Sequence, residues 1–235
     1  MTDVNAAGPL PLKAMPTSPL RSIVTQSIPL WVLAGGHVFA SLFLRELSLG
    51  LDHIEDPGLL GIVQFISGFY HWTNHWLKPV VLVLMVFLQI RILRGRSVQS
   101  GQDLLGGLLC LRCLFLFVTM NLLLMSRLKA DGMLLWQLVL FIPVVTLNFG
   151  WLYWRLDSSA RSAGRRHIRF ENEAEDPVSI FDYFHASSMA LHQFEPKGAS
   201  PTSRLMKTLF MLHGAVMLDL VALTLSRAIA LASGG

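Results

Sequence analysis

Charge is scarce in this chain. Only 14% of its 235 residues are Asp, Glu, Lys or Arg, where a water-soluble domain carries about 25%. That deficit excludes an ordinary soluble domain and fits a polytopic membrane protein with short loops. Cysteine is scarcer still: Cys110 and Cys113 are the two present, both inside one apolar run, so no disulfide framework joins the loops. The chain also lacks internal repeats and low-complexity tracts. Its start, Met1–Arg21, lacks the basic-then-apolar pattern of a secretory signal. Polar and rich in Pro and Ala, that stretch reads as a disordered cytoplasmic leader. Nucleic acid is not an expected partner despite the net charge of +4. The basic residues flank apolar runs, where they act as topology signals.

What is present is greasy sequence in long stretches. Ile23–Leu44 runs 22 residues without an Asp, Glu, Lys or Arg, and a helix crossing the bilayer core needs about 20 apolar residues. Comparable runs are Pro79–Ile90, Leu104–Ser126, Met133–Trp154 and Thr208–Leu231. Gly58–Ile90 carries only Lys78 as a charge and is too long for one ~30 Å crossing. It is therefore expected to break near Asn74–Pro79 into an interfacial or re-entrant helix (Leu59–Trp72) and a second span (His75–Leu93). Pro143 is expected to kink the fourth span. Ser203 has the chemistry of an N-cap for the last helix.

The predicted fold is an all-α polytopic bundle of five spans, six if both halves of Gly58–Ile90 cross, with a re-entrant or interfacial half-helix near Ser179–His192. Residues 1–22 form the leader, 23–154 a four-helix transmembrane region, 155–178 a polar loop, and 179–235 the half-helix with the last span. The five-span count and the positive-inside rule place the N-terminus, Arg91–Arg96 and Arg155–Arg169 in the cytoplasm, in a bacterial inner membrane.

Few side chains invite chemistry. Arg112 and Asp219 fall inside spans, where charges are costly and usually face the bundle interior or water. They are expected to gate an ion or proton pathway as a pair, or to form a buried ion pair fixing helix register, or Arg112 to snorkel to the near interface. Cys110 and Cys113 are a CxxC whose thiols share a helix face. They are redox candidates, although no second cysteine pair exists to pass electrons onward. His71 and His75 have the i, i+4 spacing of helical metal ligands. His37 and His213 lie within spans, where axial haem ligation is conceivable. No Cys, Asp or Glu completes a recognisable metal set, and no cofactor is predicted.

The stretch Phe181–Arg227 has a distinctive layout. An aromatic start (Phe181-Asp182-Tyr183-Phe184) precedes a half-helix, a Pro-punctuated loop and a long apolar helix. This order resembles the pore helix, filter and inner helix of the two-span potassium-channel module. The resemblance implies a pore with His192, Glu195, Asp219 and Arg112 as polar determinants. It does not imply the usual potassium filter. That filter needs backbone carbonyls aimed by Gly-Tyr-Gly, and Ala190–Glu195 contains no glycine. The rest of the chain is similar only in general character to bacterial multi-pass membrane proteins.

The expectation is thus a channel-like or transport-related membrane protein without a standard filter. The alternatives are a non-enzymatic scaffold or assembly partner, and a haem or thiol redox protein. The lipid bilayer, a second copy of the chain or another membrane protein are the expected partners.

Overall fold

The computed structural model describes residues 19–51, 57–125, 131–171, 173, 178–193 and 198–232. Six helices carry the fold: α1 Pro19–Leu51, α2 Pro57–Leu93, α3 Gln99–Met125, α4 Asp131–Ser162, α5 Ile180–Gln193 and α6 Arg204–Ala232. Five of them, all but α5, are long and apolar enough to cross a membrane. Of the expected leader (1–22), residues 1–18 lie outside the described residues, and 19–22 are the first turn of α1 rather than disordered chain.

Local chemistry sets several helix ends. Gly95 (φ +66°) closes α2 and Gly164 (φ +71°) closes α4, in the left-handed conformation that glycine adopts without a Cβ penalty. Each makes the paired backbone bonds of a helix-terminating turn, Gly95 N to Ile92 O with Arg96 N to Arg91 O, and Gly164 N to Arg161 O with Arg165 N to Ala160 O. At the start of α6, the Ser203 hydroxyl accepts from Met206 N at 3.2 Å, so the expected N-cap is formed. Ser179 N donates to the Asp182 carboxylate at 2.6 Å, opening α5.

α4 is the central helix, packed by α1, α3, α5 and α6, and α1 in turn contacts α2 and α3. Phe43, Phe141, Leu105, Leu109, Met120 and Tyr153 are fully enclosed at these contacts. Small residues let backbones approach. Gly36 faces Leu109, Gly106 lies under the Trp151 ring, and Gly150 lies under Phe184.

The structure departs from the sequence expectation in three places. α2 does not break at Asn74–Pro79 but runs 37 residues with Pro79 inside it. Pro79 removes one internal donor, which a long apolar helix absorbs. At ~55 Å, α2 exceeds a ~30 Å core and must tilt or project. α4 continues through Ser162, so the predicted polar loop begins as helix. The loop then forms β1 Ile168–Phe170, which pairs antiparallel, Arg169 opposite Ser200, with β2 Ala199–Pro201 beyond α5 to make a small two-stranded ribbon, an open hairpin spanning α5.

That hairpin brackets α5. The chain leaves β1, enters α5, and returns to pair with β1 again. Tyr183 in the first turn of α5 reaches Asp157, whereas Ser187 donates to the Thr146 carbonyl far along α4. α5 therefore re-enters the bundle along α4 and comes back to the same end. The apolar, small face made by Ala186, Ser187 and Ala190 is buried there.

Candidate functional site

The polar residues form separate clusters with different degrees of satisfaction. The first lies at the end of α4. Asp157 is completely enclosed. Its carboxylate accepts from His167 N (2.6 Å), Ile168 N (2.9 Å), the Tyr183 hydroxyl (2.7 Å) and Arg161 Nε (2.5 Å). Arg161 also donates to the Ile168 carbonyl and to Glu173, which takes a second donor from Arg166. Burial, reinforced by donation to Asp157, pushes the Tyr183 phenol up. The Arg161 guanidinium holds the Glu173 carboxyl below the usual carboxylate range. Nearby, Arg155 ties α4 to Asp103 at the start of α3. This cluster staples hairpin, α5 and α4 together.

The second cluster is a buried aromatic stack. His213 lies parallel to Phe149 with ring centres 4.1 Å apart, and its Nδ1 is 2.9 Å from the Tyr153 hydroxyl. The opposite ring nitrogen has no partner. A third, smaller contact joins Asn121 Nδ2 to the Asp219 carboxylate at 3.1 Å.

A further set of polar groups gathers at a cavity of about 860 Å³ between α1 and α2, with Arg112 of α3 at its floor. Helical spacing builds it. On α1, Leu30, Ala34, His37, Ser41 and Arg45 recur on one face; on α2, His71, Asn74, Lys78, Val81, Met85 and Gln89 do the same. Each stripe is polar in one half and apolar in the other, except that Gln89 closes the apolar half of α2 with an amide bonded to Ser27. Because the helices run antiparallel, the polar halves (37–45 and 71–78) meet and the apolar halves (30–34 and 81–86) meet. The groove is therefore amphipathic along its length. Trp31, Leu42, Leu82 and Val86 line it and are also exposed on the outer surface, so it opens sideways.

At the floor, Arg112 donates to Ser41 Oγ at 3.1 Å and meets His37 Nδ1 at 3.3 Å. His37 Nε2 lies 3.1 Å from the Leu105 carbonyl. A carbonyl only accepts, so Nε2 carries the proton; a guanidinium only donates, so Nδ1 is bare. His37 is thus a neutral ring with both nitrogens engaged. Among the described residues no carboxylate lies within ion-pair distance of Arg112. The side-chain oxygens of Asn74 and Gln89, both in the groove wall, are buried without a partner. Two polar contacts hold α2 in place beside the groove: Tyr70 to Thr119 (3.0 Å) and Gln89 to Ser27 (3.2 Å). A smaller cavity of about 270 Å³ on the other side of α2 also reaches Arg112.

The expected pairing of Arg112 with Asp219 does not form. Position 121, which holds Asp219, is nine residues beyond Arg112 on α3, about two and a half turns. The two side chains leave α3 on opposite faces. His37 and His71 line the groove; His75 sits edge-on to Trp76; His213 is in the aromatic stack. Cys110 is half-buried and Cys113 buried, both as free thiols. Among the described residues no three His, Cys, Asp or Glu side chains gather as a metal site. His192 belongs to the last turn of α5, but its side chain is outside the described residues, as is the whole of Glu195.

Sequence reasoning missed Ser41, Asn74, Tyr70 and Asp157. The first two were legible as the i+4 neighbour of His37 and the i+3 neighbour of His71. The Tyr70–Thr119 bond and the convergence of the hairpin on Asp157 depend on tertiary placement. No known family model, curated protein or solved structure matches the chain.

Proposed function

We propose that this is an integral membrane protein that takes a membrane-dissolved amphiphile into the side groove between α1 and α2, as the binding step of a transport-related activity. The observation that carries this reading is the groove itself. It is large enough for a small-molecule ligand, opens on the side where lipid would lie, and is polar at one end and apolar at the other. The orientation follows from charge. The turns holding Arg94, Arg96, Arg165 and Arg166 fall at one end of the bundle. On this reading the positive-inside rule favours that end, with the N-terminus, as the cytoplasmic one, and the membrane is a bacterial inner membrane.

Native mass spectrometry of the detergent-purified protein tests the reading. Wild type should retain a lipid-sized adduct, and Ala34→Trp, which fills the groove wall, should lose it while keeping its unfolding temperature. A wild type without adduct, or an Ala34→Trp protein that keeps it, would count against the groove as a binding site.

One observation favours a second reading. α5 lies back along α4, bonded through Tyr183 to Asp157 and Ser187 to Thr146, which supports reading it as the pore helix of a channel-like module. On that reading Asp219 contributes to conduction, and Asp219→Asn should change ion flux into reconstituted liposomes. Flux no greater than in protein-free liposomes removes it.

A further inference from the structure

We infer that the occupant of the groove is a long-chain amphiphile with an anionic head, a phosphate or carboxylate, seated with its head at Arg112 and Lys78 and its tail along Leu30, Ala34 and Met85; this rests on the binding role proposed for the groove.

The apolar half alone does not select a ligand. Inside a bilayer an alkyl chain gains little by moving from lipid to apolar protein, because both surroundings are equally greasy. The head must therefore supply the discrimination. All the charged side chains among the described lining residues are cationic: Arg45, Lys78 and Arg112. Arg112 sits well inside the span of α3, where an uncompensated charge costs a few kcal/mol or more. Its neighbours His37 and Ser41 are neutral and leave that charge uncompensated. A guanidinium offers five donors in a fork that matches phosphate or carboxylate oxygens. Asn74, one turn from Lys78 on the same face of α2, has a side-chain oxygen without a partner in the groove wall.

The groove also orders head and tail contacts along its length. Its polar end lies toward the C-terminal end of α1 and its apolar end runs toward the C-terminal end of α2, with Lys78 and Arg112 near the middle of their spans. The apolar half covers Val81 to Val86, about 8 Å of helix.

The test uses full-length protein in nanodiscs of zwitterionic lipid and spin-labelled probes that share one long chain. The heads are phosphate, carboxylate, an uncharged glycol and trimethylammonium. The two anionic probes should bind at least about tenfold tighter than the others, a difference of roughly 1.4 kcal/mol. Arg112→Gln should reduce that preference to less than about threefold, and Lys78→Gln should weaken it independently if Arg112→Gln fails to fold. Inorganic phosphate should not displace the phosphate probe. Equal binding of all four heads would overturn the anionic assignment and leave the groove as a binding site. Binding of none would overturn both. Displacement by inorganic phosphate would show an ion site with no use for a tail, which also overturns the inference.

Discussion

Asp157 and Arg112 are both charged side chains held inside the helix bundle, and they differ in company. Asp157 has its acceptor sites filled by two backbone amides, a phenol and a guanidinium. Arg112 has a neutral imidazole and a hydroxyl, beside a cavity lined by more cations and by amide oxygens without partners. A buried charge with a full set of partners holds a fold together. One that is underpartnered beside open volume is ready for something else. The helices around them differ in the same way. α4 is enclosed on most sides, whereas α2 exposes Phe65, Trp72, Trp76, Val83 and Phe87 and leaves cavities along both flanks.

The contrast is broken most sharply at Asp157. Asp157→Ala strands Arg161, Tyr183 and two amides at once, and should cost about 3–5 kcal/mol. Thermal unfolding in detergent should show it as a large downward shift or as failure to purify. An intermediate effect is expected at Gly106. A methyl group there would collide with the buried Trp151 ring, so Gly106→Ala should lose about 1–3 kcal/mol by overpacking. Gly107 has open space around its Cβ position, and Gly107→Ala should be close to neutral in the same assay. Arg112→Gln should cost much less stability than Asp157→Ala, since losing its two charge-assisted hydrogen bonds is offset by removing an uncompensated charge from the span, while its effect on amphiphile binding is large. A severe loss of stability would make Arg112 structural, like Asp157.

The smallest effect is electrostatic. Glu173 has its pKa lowered mainly by the hydrogen bond from Arg161. The stability it adds is present above its ordinary pKa of 4.5 and is lost as pH falls through the lower folded value. Glu173→Gln should therefore flatten the acid limb of the unfolding temperature against pH and leave the neutral region nearly unchanged.

Much of the fold was legible because hydropathy runs report span length directly. The apolar runs beginning at Ile23, Leu104, Met133 and Thr208 all became helices, and Ser179–His192 became α5. Helix ends were less legible. The polar Arg155–Ser162 segment stays helical because Asp157 and Arg161 find partners in a hairpin that no local pattern announces. Pro79 misled for a related reason, since proline marks a lost donor rather than an obligatory break. At the candidate site, Arg112 and His37 stood out as polar groups in apolar helices. Their direct contact, and the misalignment of Arg112 with Asp219, depend on which face of α3 meets which neighbour. The two half-polar stripes of α1 and α2 were written in the sequence. Their alignment appears only once the helices are paired antiparallel.

Photolabelling of the full-length protein in nanodiscs by a photoactivatable long-chain fatty acid, mapped by peptide mass spectrometry, tests the central claim most directly. We predict adducts concentrated on α1 residues 30–45 and α2 residues 71–90, and lost in Ala34→Trp. Labelling spread evenly over the exposed faces of α2 and α6, and unchanged in that variant, would contradict the account.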